Sequence, residues 1–177
     1  MKKVIKNIII GIIVVIIAII ITFVLRKYIF RFDKNLTKEQ KAIIEKYISD
    51  KSNSYLEENM TFTSTHYFGD RYNDDQLEVY LWAMFSEYDT KDNKFESYTE
   101  SSMPWVIIVN TKDEQFEIID YKMPKDGNQY KQSIKNMFPI AIRGQVLNFY
   151  NRSDYKKLVK EHQNMIQIYE DYSKESE

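Results

Sequence analysis

Cysteine is absent from this chain of 177 residues, and its absence removes several classes of protein. Without thiols there is no disulfide framework, no thiolate zinc site, no cysteine nucleophile and no lipid anchor on a cysteine. Histidine contributes only two residues, which leaves little material for a histidine metal centre. The composition therefore predicts neither a metal nor a cofactor.

Glycine and proline are also scarce, with four and three residues, so each of them marks a break in the chain. No glycine-rich phosphate loop, Gly-x-Ser-x-Gly elbow or His-Glu-x-x-His motif is present. The clearest turn signal is Pro124 with Asp126 and Gly127, because proline presets φ and glycine tolerates a left-handed backbone. We expect Gly127 to have a positive φ in a turn that ends the β-rich region.

What the sequence has in excess is an apolar run without charges at residues 8–25. An α-helix of this length spans about 27 Å, close to the thickness of the hydrocarbon core of a bilayer. A cleaved signal peptide is the alternative. Signal peptides have an apolar core of about 7–15 residues followed by a cleavage site of small residues, whereas the run in this chain is longer and no such site follows it. We therefore predict a permanent transmembrane anchor at 8–25, with the lipid bilayer as its partner.

Basic residues flank the predicted anchor on both sides. The N-terminal tail, 1–7, carries three lysines, and residues 26–35 form a basic and aromatic collar suited to lipid head groups. The positive-inside count is therefore nearly balanced, and the short basic tail is what favours a cytoplasmic N-terminus. We expect a single-pass protein of the cell membrane whose single domain, 36–177, is extracytoplasmic.

The net charge changes sign at nearly the same boundary. Residues 1–34 contain seven basic residues and one acidic residue, a net charge of +6, whereas residues 35–177 contain 18 basic and 25 acidic residues, a net charge of −7. An acidic domain is repelled by a phosphate backbone. Nucleic acid is therefore not an expected partner.

Hydrophobic periodicity predicts an α+β domain after the collar: an amphipathic helix, an antiparallel sheet of about four strands in meander order, and C-terminal helices. The first helix begins at a capping box formed by Thr37 and Gln40. The predicted elements are helix 38–52, strands 61–68, 77–88, 105–109 and 116–121, a polar loop at 91–102, and helices 130–138, 139–150 and 153–172. This order resembles cystatin-like or nuclear-transport-factor-like folds, in which one helix lies across a curved sheet.

The strongest predicted strand, 77–88, is apolar on both of its faces. Its first face would lie under a helix and consists of Leu77, Val79, Leu81, Ala83 and Phe85. Tyr80, Trp82 and Met84 point the other way, and a solvated face is not normally built from such residues. They are the candidate interaction surface, unless the last helix of the same chain covers them.

Three stretches together resemble a known type of domain: residues 79–85 (VYLWAMF), 104–109 (PWVIIV) and 120–127 (DYKMPKDG). They are similar to an uncharacterised extracytoplasmic domain of low-GC Gram-positive bacteria. That domain occurs in membrane-anchored proteins and lipoproteins, and also fused to membrane metallopeptidases of the β-lactam-sensor type. The resemblance implies a surface domain of unknown or sensory role, without the zinc chemistry of the peptidase.

Candidates for catalysis are few. His66 falls on a weak strand and His162 within the apolar stripe of the last helix, so we expect both to be packed core residues. Asp120 and Asp126 are available as paired carboxylates, but a strand end and a turn also explain them. We therefore expect a binding or sensory/accessory module that engages a membrane or cell-surface protein, rather than an enzyme.

Two alternatives remain open. One is a membrane-tethered enzyme that uses carboxylates such as Asp120 and Asp126. The other is an accessory subunit recognised through its span, for which Gly11 alone gives little support because no second small residue follows four positions later.

Overall fold

The computed structural model describes residues 10–21, 36–52, 59–73, 75–91, 95–112 and 115–175. Residues 10–21 are helical, and all of them are exposed. Within these described ranges, no helix is both long enough and apolar enough to cross a membrane. The two ends of the predicted anchor, the tail 1–7 and the collar 26–35 lie outside the described residues.

Four strands form one antiparallel sheet: β1 (Asn59–Asn73), β2 (Gln76–Asp89), β3 (Glu96–Asn110) and β4 (Glu117–Lys122). Strands that follow one another in the sequence are neighbours in the sheet, so the order is β1-β2-β3-β4. The predicted α+β class and the four-stranded meander are therefore confirmed. Because β4 has only six residues, it pairs with the last part of β3 alone.

The strand β3 begins earlier than the sequence predicts. The predicted polar loop is wrong from residue 96 onward, because β3 pairs with β2 along its whole length. Its first residues, ESYTESS, are exposed or half-buried, and full burial begins only at Pro104. A strand without a buried face needs no alternation of apolar residues, so it leaves no periodic signal in the sequence.

Helix α1 (Lys38–Ser52) covers one face of the sheet. The predicted capping box is present, since the Thr37 N–H donates to Gln40 Oε1 at 2.9 Å and the Gln40 N–H donates to Thr37 Oγ1 at 3.1 Å. Ile44 and Ile48, one turn apart, are fully buried. Their core partners on the sheet are Leu77, Val79, Leu81, Ala83, Trp105, Ile107 and Val109.

Three C-terminal helices cover the other face: α2 (Tyr130–Met137), α3 (Ile140–Leu147) and α4 (Ser153–Glu175). Pro139 separates α2 from α3, because proline cannot continue a helix interior. The helices, together with Phe138 just after α2 and Phe149 in the 3-10 turn after α3, form a second core on this face. Its members from the helices are Ile134, Ile142, Val146 and Leu158. Helices therefore lie on both faces of the sheet, unlike the single helix of the folds that the element order resembles.

This second core corrects the candidate interaction surface. Tyr80 and Trp82 have no exposed area, and Met84 is half-buried at the border of the core. Their cover is not mainly the last helix, because the ring of Phe138 lies 5.6 Å from Tyr80 and the ring of Phe149 lies 5.0 Å from Trp82. Tyr80 and Trp82 therefore hold the layers together and present no surface to a partner.

The turn predicted after the sheet has the expected backbone. Gly127 has φ +61° and begins a 3-10 turn, Gly127–Gln129, that leads directly into α2. Asp126 precedes it with extended backbone and makes no capping hydrogen bond. Pro124 is half-buried in the link after β4. The positive φ expected at Gly127 is therefore present.

Candidate functional site

A groove of about 710 Å³ lies between α4 and the sheet, and we call it the α4 groove. On its floor, β2 and β3 contribute Met84, Ser86, Glu100 and Ser102. Its wall is one side of α4, with Tyr155, His162, Gln163, Ile166, Gln167 and Glu170. Because α4 packs mainly against β1, no described helix covers the polar first part of β3, and the groove is open on that side.

Aromatic side chains lie at both ends of the α4 groove. At one end the rings of Tyr88 and Phe95 are stacked with centroids 4.3 Å apart, and Tyr169 lies 5.5 Å from Phe95. At the other end Tyr155 packs edge-on against Tyr150 at 4.8 Å. Such rings offer apolar area and faces that attract cations.

His162 lies in the middle of the wall and is held by two serine hydroxyls. Its Nε2 is 2.7 Å from Ser86 Oγ on β2, and its Nδ1 is 3.0 Å from Ser64 Oγ on β1. His162 and Ser86 are each 3% exposed. Because a hydroxyl can either donate or accept, both nitrogens of a neutral imidazole are satisfied in either tautomer.

Burial keeps this imidazole neutral. Removal from water lowers the pKa of His162 below its ordinary value, although the carboxylate of Glu100 acts in the opposite direction. At pH 7 the ring is therefore uncharged and able to accept a proton.

The lining of the α4 groove is acidic. It includes Glu100 and Glu170, and none of the described residues that line it is a lysine or arginine. Lys174 contacts Glu170 at 2.8 Å from the next turn of the helix, but such an exposed pair is weak. Burial raises the pKa of Tyr88, and Glu100 and Glu170 raise it further, so both carboxylates act on the same end of the groove.

The contact between Ser86 and His162 resembles the nucleophile and base of acyl-transfer enzymes. In those enzymes a third group orients the base, most often a carboxylate. Here the third group is the hydroxyl of Ser64. For metals, no group of three or more ligating side chains occurs among the residues that the structure describes.

A second polar network joins side chains of β1 and β2 to Lys122 of β4, on the far side of β3. The guanidinium of Arg71 and the hydroxyl of Tyr80 each donate to Glu78 Oε2 at 2.5 Å, and Lys122 Nζ lies 3.7 Å from Oε1. Burial favours a higher pKa for Glu78, but the donors outweigh it and hold this pKa below its ordinary value. The carboxylate of Glu78 is therefore already bound by side chains of the same protein, as expected of a residue that stabilises the sheet.

The other residues predicted from the sequence lie outside the α4 groove. Asp120 is exposed on β4 and accepts a hydrogen bond from the Tyr121 N–H at 2.8 Å, while Asp126 is exposed in its turn. Neither carboxylate lines the groove. The ring of His66 packs 4.7 Å from that of Phe149, on the edge of the second core.

Sequence reasoning misses the groove residues Ser86 and Glu100. Ser86 continues the face of Tyr80, Trp82 and Met84, so a polar residue at the next position of an apolar face is the available signal. Glu100 lies in the stretch that the sequence predicts as a loop. His162 is buried as expected, but its two serine partners come from strands far away in the sequence.

No protein-family model matches the chain, and comparisons with curated proteins and with solved structures found no match. The resemblance to an extracytoplasmic domain of Gram-positive bacteria therefore stays a prediction.

Proposed function

We propose that the protein is a single-pass, membrane-anchored binding module of sensory or accessory type, whose extracytoplasmic domain receives a ligand in the α4 groove. The observation that carries this proposal is the groove itself. Its volume of about 710 Å³ lies within the range of ligand sites, and its lining combines apolar, hydroxyl, amide and carboxylate groups. Such a mixture supplies contact area together with a few orienting polar groups.

The membrane anchor is supported by the charge-free run 8–25 and by the exposure of its described part. Within 10–21, ten isoleucine and valine side chains are each about half exposed. A continuous apolar surface of this kind is unusual in water and marks a membrane or protein contact. Insertion into lipid removes it from water, and the collar 26–35 suits the head-group region that follows.

A second candidate function is acyl transfer, with Ser86 as nucleophile and His162 as general base. The 2.7 Å contact between Oγ and Nε2 favours it, as does the neutral state of the imidazole. Against it stand the burial of Ser86 and the hydroxyl in place of an orienting carboxylate. Labelling with a fluorophosphonate separates the two functions, since a binding module leaves Ser86 unlabelled and an acyl-transfer enzyme does not.

The test of the binding proposal is site-specific photocrosslinking in the native membrane. A photoreactive amino acid replaces Gln167, which is exposed on the groove wall, and in a matched variant it replaces Asn164, which is exposed on the same helix but does not line the groove. We expect a discrete crosslinked product from Gln167 and none from Asn164. Equal products from both positions, or none from either, would contradict a ligand in the α4 groove.

A further inference from the structure

In the part of the chain that the structure describes, the first half of β3 is an open edge of the sheet. β4 pairs with β3 only at Val106–Asn110, so no described strand lies beside Glu96–Trp105 on that side. Main-chain donors and acceptors on an uncovered edge are a template for another strand. The exposure of Glu96, Tyr98 and Glu100 agrees with an uncovered edge.

Two residues show which main-chain groups point outward from this edge. Pro104 has no N–H, so it fits where a strand does not need to donate to its partner. The carbonyl of Ser102 accepts a hydrogen bond at 2.9 Å from the hydroxyl of Tyr150, which lies on a different element from the neighbouring strand β2. Because these directions alternate along a strand, Glu100 points its main-chain groups outward as well.

The same alternation places the side chains of Glu100 and Ser102 on the face of the α4 groove. A strand paired there would have, opposite each of them, a residue whose side chain also lies on the groove face. That face carries Glu100 and Glu170 and no basic residue among its described lining. Charge complementarity therefore favours basic side chains at alternate positions of the added strand.

Building on the proposed function, we infer that the ligand of the α4 groove is an extended peptide segment with lysine or arginine at every second position. It adds an antiparallel strand to β3 opposite Glu100 and Ser102, and Tyr150 marks the end of its path toward β4. Main-chain hydrogen bonds hold the strand, and its basic side chains enter the groove beside Glu100, Glu170 and the aromatic end.

A second copy of this chain is a poorer occupant of the edge. Antiparallel pairing of two β3 edges centred near Tyr98 would bring Glu96 of each copy close to Glu100 of the other. Like charges across neighbouring strands are unfavourable. The chain's own charge pattern therefore opposes self-pairing and favours a basic partner.

The experiment is a titration of the full chain in nonionic detergent with a synthetic, capped heptapeptide that alternates lysine and threonine, followed by fluorescence anisotropy. One matched peptide is N-methylated at its two central lysines, whose N–H groups would face β3. Another is N-methylated at two threonines, whose N–H groups would face solvent. Both keep the four charges, so they separate strand pairing from simple attraction.

We expect the parent and threonine-methylated peptides to bind within about twofold of each other, and the lysine-methylated peptide to bind at least about tenfold more weakly, because two main-chain hydrogen bonds are lost. Glu100→Gln should weaken binding of the parent peptide about fivefold, since the change removes one negative charge close to its lysines. The matched change Glu117→Gln on exposed β4 should leave binding unchanged.

Equal binding of both methylated peptides, or no binding of the parent at millimolar concentration, would overturn the inference. Self-association of the chain that competes with the peptide would overturn it in favour of a second copy. Crosslinking from Gln167 is read separately. If it persists while the peptide fails to bind, only the peptide inference falls, and if both fail, the proposed function falls with it.

Discussion

Truncation of Trp82 distinguishes most sharply between a residue of the core and a residue of an interaction surface. Its side chain is completely buried, and its ring lies 5.0 Å from Phe149, 4.8 Å from Tyr150 and 6.3 Å from Tyr155. Its indole N–H donates to Ser102 Oγ at 2.9 Å. The change Trp82→Ala removes all of these contacts at the junction of the sheet and the C-terminal helices.

The expected cost follows from the size of the cavity. Replacing a buried tryptophan by alanine costs about 3–5 kcal/mol, because the lost apolar contacts are not recovered by relaxation. The lost aromatic pairs contribute to that figure, and the freed Ser102 hydroxyl adds little because it lines the open groove. For a domain of this size, 1 kcal/mol lowers Tm by about 3 °C, so we expect a drop of roughly 10–15 °C.

The assay is thermal unfolding of the full chain in nonionic detergent, followed by far-ultraviolet circular dichroism. The matched control is Tyr98→Ala on the open part of β3, where the side chain is 58% exposed and the change should stay within about 0.5 kcal/mol. If Trp82→Ala shifts Tm by less than about 3 °C, the tryptophan is not a core residue and its packing against the C-terminal helices is refuted.

Three further predictions concern the turn, the buried histidine and the topology. Gly127→Val should lower the free energy of unfolding by about 1–2 kcal/mol. The cost comes from left-handed backbone strain alone, since a Cβ added at this position would meet no atom within 4 Å. Gly144→Ala within α3, where a Cβ also meets no atom, should raise the free energy of unfolding by about 0.5–1 kcal/mol, because glycine weakens a helix interior. Because the pKa of His162 is lowered in the folded state, the unfolded chain binds its proton first, and the free energy of unfolding should fall as the pH drops below about 6.5. His162→Gln should flatten that decline in urea titrations at several pH values. Protease added to intact spheroplasts should degrade residues 36–177, and complete protection would reverse the predicted orientation.

Sequence reasoning succeeds where burial imposes a period. The sequence predicts the two apolar faces of β2 and the apolar stripes of α1 and α4, because each of these elements buries one or both of its sides. Local chemistry is equally readable: the capping box at Thr37 and the positive φ at Gly127 each depend on residues within one turn.

The α4 groove could not be predicted from the sequence, for two physical reasons. The open half of β3 is polar because few described residues pack on it. Its pairing with β2 depends on main-chain hydrogen bonds, which any sequence can form, so the side chains give no sign of it. The contact between His162 and Ser86 joins residues 76 positions apart, and its existence depends on where α4 crosses the sheet. Neither feature follows from a local pattern.

The role of Tyr80 and Trp82 is also hard to predict from the sequence, because it depends on what covers the second face of β2. A strand with two apolar faces must be covered on both, but the sequence does not say whether a partner or the same chain supplies the cover. Here α2, α3 and the turn after α3 supply most of it, through Phe138 and Phe149. The apolar positions of α2 and α3 predict that the two helices are amphipathic, but they do not predict which face of the sheet the helices cover.

The most direct test of the binding account is amide hydrogen exchange along β3, measured residue by residue by nuclear magnetic resonance. In the free protein we expect the N–H groups of Glu100 and Ser102 to exchange quickly, because they point to the open edge, and those of Ser101 and Met103 to exchange slowly, because they pair with β2. Saturation with the lysine–threonine peptide should slow exchange at Glu100 and Ser102 and leave exchange at Ser101 and Met103 unchanged. Slow exchange at these two amides in the free protein, or no change with peptide bound, would contradict an open strand edge as the binding site.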